Sequence, residues 1–291
     1  MNKINSNPLY RLIIPKALRT FIWKKYLKKK ILNSYKHSKD SEVIDIINNI
    51  KKNGLNIISN KLKNDYDQEK IQVDYDSDKK MKYVKFDDNK KIFFKKKWST
   101  KRIQKAFNQL LIEQDENSPH RYLTKNFNVN KNTVVADIGC AEANFSLDIV
   151  DKVKHIYLFE TNNIWEEPLK STFEKYRDKV TIVNKKFSSK DSSSSINGSK
   201  FLKDKGVNFI KIDVDGYEEE VMSNLESIIR ESREIKIALC TYHAQEDFDK
   251  YSHILQSYGF EVSNSNGYMI FYWDKNLVFP YLRRGVIRAQ K

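Results

Sequence analysis

Cysteine is scarce in this 291-residue chain, and the two that occur, Cys140 and Cys240, lie a hundred positions apart. That excludes a disulfide-dense secreted scaffold and a cysteine-built metal knot. Long apolar runs are missing too. No stretch approaches the roughly 18 apolar residues that cross a bilayer. Pro15, Lys16 and Arg19 interrupt the apolar residues near the N-terminus, so no signal-peptide core is read there and a cytoplasmic protein is expected. Acidic residues are absent before Asp40, whereas eleven Lys or Arg precede it.

What is present is positive charge. Fifty-three Lys and Arg against 38 Asp and Glu leave a net +15. Such a balance suggests an anionic partner: a phospholipid surface, a nucleotide-linked or lipid-linked sugar, or nucleic acid. A Lys-rich coding bias is the plain alternative. With 40% hydrophobic and 12% aromatic residues the chain is expected to fold, and its length allows one large α/β domain plus an extension.

Residues 1–70 read as a basic, mostly helical extension. Over residues 8–32, Leu18, Phe21, Ile22, Tyr26 and Leu27 recur at helical spacing with lysines between them, and Pro15 suits the first turn. A basic amphipathic helix with Phe21 and Trp23 matches a segment lying on the anionic inner face of a membrane. It equally matches a helix packed on the main domain or on a second subunit. A second helix is predicted over residues 41–53, closed by Gly54. Residues 71–130 lead into the core through a hairpin turning at Asp87-Asp88-Asn89 and a helix over 100–114. His120, Arg121 and Tyr122 follow, near enough in sequence to reach the mouth of a site.

From residue 131 to 291 strands and helices alternate: strands at 133–138, 155–160, 180–184, 207–214 and 234–242, helices at 144–151, 165–177, 218–230 and 246–258. The pattern predicts an α/β, Rossmann-like sheet, mostly parallel with an antiparallel last strand. The polar stretch 188–200 is expected to be a mobile surface loop, and FEVSNSNGYMIFYW is expected to complete the sheet with its last two strands.

The organising stretch is TVVADIGCAEANF, residues 133–145. A β-branched strand ends at Asp137-Ile138-Gly139, small residues form a turn, and a helix starts near Asn144; the next strand ends on Glu160, placed to accept ribose hydroxyls. The nicotinamide fingerprint G-x-G-x-x-G is absent, since Ala141 and Asn144 stand at the other glycine positions. A carboxylate before the first glycine repels pyrophosphate and suits a sulfonium-amino acid, which points to S-adenosylmethionine. The expected cofactor contacts are Asp137, Gly139, Ala141, Glu142, Asn144, Glu160 and Asp213. Replacing Asp137 or Glu160 by alanine is then expected to weaken cofactor binding with the fold intact.

This stretch resembles the first motif of class I S-adenosylmethionine-dependent methyltransferases. With FIKIDVDGYEEEVM, residues 209–222, the resemblance narrows to the FkbM-type methyltransferases, whose usual form is close to K-I-D-V-E-G-x-E. It extends over roughly residues 82–291. Here Asp215 replaces the usual Glu, Tyr217 occupies a place that is usually small, and Ala143 stands where glycine is general. The resemblance implies transfer of a methyl group to a sugar hydroxyl of a surface polysaccharide or glycan precursor, with the D-V-E-G-x-E segment at the active-site edge.

Strand order brings Asp137, Glu160, Asp213, Asp215 and His243 to the carboxyl edge of the sheet, where open α/β folds bind ligands. Asp213, Asp215 and His243 are the candidate catalytic residues. One of them removes the hydroxyl proton, or the three hold a divalent cation that acidifies it; the metal-free form is preferred. Each also has a structural alternative as a helix cap or hydrogen-bonded strand end. An RNA methyltransferase fits the charge, but no RNA-binding module precedes the core, so nucleic acid is not favoured. A non-catalytic, membrane-associated assembly subunit is the third alternative.

Overall fold

The computed structural model describes residues 15–59, 65–274 and 277–291. Helix α1 spans Lys16–Ser34 with Pro15 at its N-cap; the first part of the predicted basic helix, residues 8–14, lies outside the described residues. Helix α2, Ser41–Asn53, starts where the Asp40 side chain accepts from the backbone N–H groups of Glu42 and Val43, and it stops at Gly54 with φ 77°. Strands β1 (Asp74–Asp76), β2 (Met81–Lys85) and β3 (Lys91–Phe93) form an antiparallel sheet, and the β2–β3 hairpin turns at the expected place. Helix α3, Thr100–Glu113, is capped by the Ser99 hydroxyl.

The core elements follow: β4 (Val134–Ile138), α4 (Asn144–Ile149), β5 (His155–Phe159), α5 (Glu166–Thr172), β6 (Val180–Val183), β7 (Lys186–Ser188), β8 (Ser195–Asn197), α6 (Gly198–Leu202), β9 (Phe209–Ile212), α7 (Glu218–Glu231), β10 (Lys236–Cys240), α8 (Asp247–Ser257), β11 (Glu261–Asn264) and β12 (Val286–Gln290). Seven strands form one sheet in the order β11-β12-β10-β9-β4-β5-β6. The pairs from β10 through β6 are parallel, and β12 is antiparallel to both its neighbours. This is the expected α/β, Rossmann-like sheet, mostly parallel with an antiparallel last strand.

Alternation along the strands divides the core in two. Val135, Ile156, Leu158, Phe209 and Cys240 face one side, with α3 and α4. Val134, Ala136, Ile138, Ile210 and Ile212 face the other, with α7 and α8. A third cluster joins Leu27 and Ile31 of α1, the apolar face of α2, and Ile270, Tyr272, Leu277 and Leu282. One face of α1 therefore packs on the body of the protein.

Three expectations need correction. The last strand is not in GYMIFYW but in the basic tail, where Val286–Ala289 are buried. Charge concealed it: the Arg288 guanidinium is spent on the carbonyls of Arg121 and Tyr122, at 2.6 and 2.9 Å. Residues 188–200 are structured, with β7 and β8 paired in parallel. Their serines supply hydrogen bonds in place of a core, Ser192 Oγ accepting from the N–H groups of Ser194 and Ser195, while Phe187 and Leu202 anchor the ends. The helix expected over 165–177 is broken into α5 between two 3-10 turns, Asn163–Trp165 and Glu174–Tyr176.

Candidate active site

Beyond the carboxyl ends of β4, β5 and β9 lies a cleft of about 630 Å³. Gly139, Ala141, Glu160, Asp213, Asp215, Tyr217 and Tyr242 are among its walls. The turn after β4 makes it possible. Gly139 has φ 78°, and a Cβ there would lie 2.0 Å from the carbonyl oxygen of Asp213, so β4 and β9 approach this closely only at glycine. Ala141 and Ala143 take left-handed φ values of 46° and 57°, which coil the loop tightly before α4.

The expected cofactor residues separate into three groups. Gly139, Ala141, Glu160 and Asp213 line the cleft. Glu160 is held there by the loop itself, its carboxylate accepting from Ala141 N at 2.9 Å and Asn162 N at 2.7 Å. Asn144 faces a separate apolar groove with Phe107, Leu110 and Phe145. Glu142 is half-buried outside the cleft lining, and burial, with Glu113 adding to it, pushes its carboxyl up to about 7. Asp137 differs most from expectation. It is 0% exposed, with Oδ1 3.0 Å from Lys211 Nζ and Oδ2 accepting from Ser146 Oγ at 2.7 Å. Its partner is an internal ammonium, not a ligand.

Lys211 also donates to Gly139 O at 2.7 Å, which ties the turn after β4 to β9. Burial disfavours its charge, but Asp137 and Asp213 outweigh that and hold the proton on. This lysine was not singled out from the sequence. The available signal was a cation inside a strand that is otherwise apolar, a position that requires a buried partner.

Asp213 stands at the centre of a polar cluster. Tyr122 Oη donates to Oδ2 at 3.0 Å and Tyr242 Oη to Oδ1 at 3.3 Å, and His120 Nε2 lies 3.5 Å from Oδ2. Although burial opposes ionisation, His120, Lys211 and His243 hold the carboxyl far below the usual carboxylate range. Burial pushes both phenols well above theirs, so both remain donors. Of the three residues noted before the core, His120 and Tyr122 reach Asp213. Arg121 instead donates to the carbonyls of Leu123 and Gln114.

His243 lies behind this edge. Its Nδ1 is 2.9 Å from Glu218 Oε1, and its Nε2 is 3.4 Å from Asp215 Oδ1 and 3.8 Å from Asp213 Oδ1. Burial alone would lower its pKa; the three carboxylates reverse that and raise it to about 10. At neutral pH the ring is an imidazolium, which corrects its expected use as a base. Because its folded-state value lies above the ordinary 6.5, its stabilising contribution is complete below about pH 6.5 and is lost as pH rises towards about 10. Urea unfolding of the native protein is expected to lose on the order of 4 kcal/mol across that window relative to His243→Gln. Parallel pH curves for the two proteins would contradict the ion cluster.

His120, Asp213 and Cys240 each bring one metal-ligating atom within 4.8 Å of the others. The charge of Asp213 is already balanced by Lys211 and His243, and burial keeps the Cys240 thiol protonated. A divalent ion would have to enter beside two fixed cations and displace a thiol proton, so these residues do not form a ready metal site.

The parallel sheet and the glycine turn, with a cleft beyond the carboxyl ends of the strands, are those of an α/β protein that binds its ligand at that edge. The sequence profile described as "Methyltransferase FkbM domain" matches residues 92–262, more than half of the chain, and the protein belongs to that family. No curated protein matches it. Among solved structures it is similar to the FkbM methyltransferase of Methylobacillus flagellatus, at 15% identity over 56% of this chain and 44% of that one, with a TM-score of 0.43. It is also similar to a putative transferase from Pyrococcus horikoshii, at 13% identity over 73% and 72% of the two chains, with a TM-score of 0.45. A putative methyltransferase from Streptococcus mutans in complex with SAH matches at 10% identity over 56% and 90%, with a TM-score of 0.40.

Proposed function

We propose that the protein transfers a methyl group from S-adenosylmethionine to a sugar hydroxyl of a surface polysaccharide or glycan precursor. The observation that carries the reading is the joining of Glu160 and Asp213 in one cleft at the carboxyl edge of the sheet, with a glycine turn between them. Its volume of about 630 Å³ falls in the range of about 300–1,000 Å³ usual for small-molecule sites. The donor set fits as well: a carboxylate for ribose hydroxyls and an anionic edge for a sulfonium.

Bound S-adenosylmethionine supplies an electrophilic methyl group. Glu160 would hold the ribose end, and Gly139 and Ala141 would leave the floor open to it. Asp213 accepts a hydrogen bond from the acceptor hydroxyl and aligns its lone pair for in-line attack. As the oxygen takes the methyl group and the methyl–sulfur bond breaks, releasing S-adenosylhomocysteine, the hydroxyl proton becomes strongly acidic and would pass to Asp213. A weakly basic carboxylate is sufficient at that stage, and His120, Lys211 and His243 keep it ionised beforehand.

Calorimetric titration with S-adenosylmethionine and S-adenosylhomocysteine tests the cofactor site. Micromolar binding is expected, weakened about tenfold by Glu160→Gln. Absence of binding to folded protein would overturn the reading in favour of a non-catalytic role.

A further inference from the structure

Helix α1 meets the segment after Phe271 along one flank. Trp23 Nε1 donates to Tyr272 O at 2.8 Å, and Lys24 Nζ lies 4.1 Å over the Tyr272 ring. Further along, the Tyr35 hydroxyl donates to the Pro280 carbonyl and its ring stacks on Phe279 with centroids 5.8 Å apart. Lys24 and Tyr35 are eleven residues apart, three helical turns, so they share a face; Phe21 lies one turn before Lys24 on the same side.

Among the described residues, that flank carries exposed apolar side chains. Phe21 is 63% exposed, Trp273 52%, Val278 57% and Phe279 61%. Large apolar residues gathered at one exposed site mark an interaction surface. Charge indicates its partner. Helix α1 contains no acidic residue, bears Arg19, Lys24, Lys25, Lys28, Lys29 and Lys30, and the first carboxylate beyond it is Asp40. The row runs about 20 Å from Phe21 to Tyr35, with lysines along the same helix.

We infer that this flank docks on an anionic phospholipid surface, with Phe21, Trp273 and Phe279 entering the headgroup region and the exposed lysines Lys25 and Lys29 lying over the phosphates. The two readings of the basic helix are then both met by one helix: Leu27 and Ile31 pack inward while Phe21 stays exposed. The surface is also joined to the cleft. Phe271 packs 5.3 Å from the His243 ring and 5.6 Å from Tyr242, and Arg283 donates to the carbonyls of these two residues. Docking would hold the carboxyl edge of the sheet close to the bilayer. The inference rests on this surface alone and stands whatever the acceptor.

Sedimentation of the full chain with phosphatidylglycerol-containing vesicles, against pure phosphatidylcholine vesicles, at about 0.15 M salt, tests it. Binding is expected only with the anionic lipid. The pair Trp273→Ser and Phe279→Ser, and separately Phe21→Ser, should each weaken it about tenfold while circular dichroism and cofactor affinity stay unchanged. No binding by the unaltered protein overturns the inference. So does binding that survives all three substitutions, since lysine charge alone would then account for it. A vesicle-free dimer that the same substitutions disperse would assign the surface to a second copy of this chain and overturn it as well.

Discussion

Replacing Asp137 by alanine is expected to cost about 3–5 kcal/mol of stability, because it strips a buried ammonium of its paired carboxylate. Lys211 is 4% exposed and cannot regain water without opening the sheet between β4 and β9. Adding Lys211→Met to the variant should recover most of that loss, since removing both charges leaves neither uncompensated. Urea unfolding of the two single variants and the double variant measures the coupling. The expectation drawn from the sequence, weaker cofactor binding on an intact fold, changes because Asp137 faces the sheet interior. A stable Asp137→Ala protein that had lost only cofactor affinity would restore the earlier view.

Replacing Asp213 by asparagine is expected to lower the methyl-transfer rate by about 10²–10⁴-fold while leaving S-adenosylmethionine binding within a few fold. The amide keeps the shape but accepts no proton, and it turns an N–H group towards donors already supplied by Tyr122 and Tyr242. Tyr242→Phe removes one of those donors and should cost about tenfold. Initial rates of labelled methyl transfer to a glycan fraction compare the three proteins. An Asp213→Asn enzyme that kept its rate would move the proton acceptor to Asp215, whose side chain is 94% exposed at the cleft rim.

Much of this was legible in the chain. The β-branched run before Gly139, the alternation of strands with amphipathic helices and the acidic residues at strand ends are local patterns. A parallel sheet converts such patterns into one functional edge without further information. The β2–β3 hairpin and the closure of α2 at Gly54 were readable for the same reason, because turn and cap chemistry acts within a few residues.

Other features required the fold. Asp137 and Lys211 are directly paired across β4 and β9, and only strand register shows that each answers the other's charge. His120 and Tyr122 join Asp213 from about ninety residues away, and the antiparallel strand comes from a tail whose arginine disguised it. The basic helix posed a choice between packing and display that its periodicity could not resolve. Its sequence determined a helix rich in lysine and aromatics. Which flank met Tyr272 and Phe279, and which remained for another surface, was decided by packing, because burial is a property of neighbours brought together from distant parts of the chain.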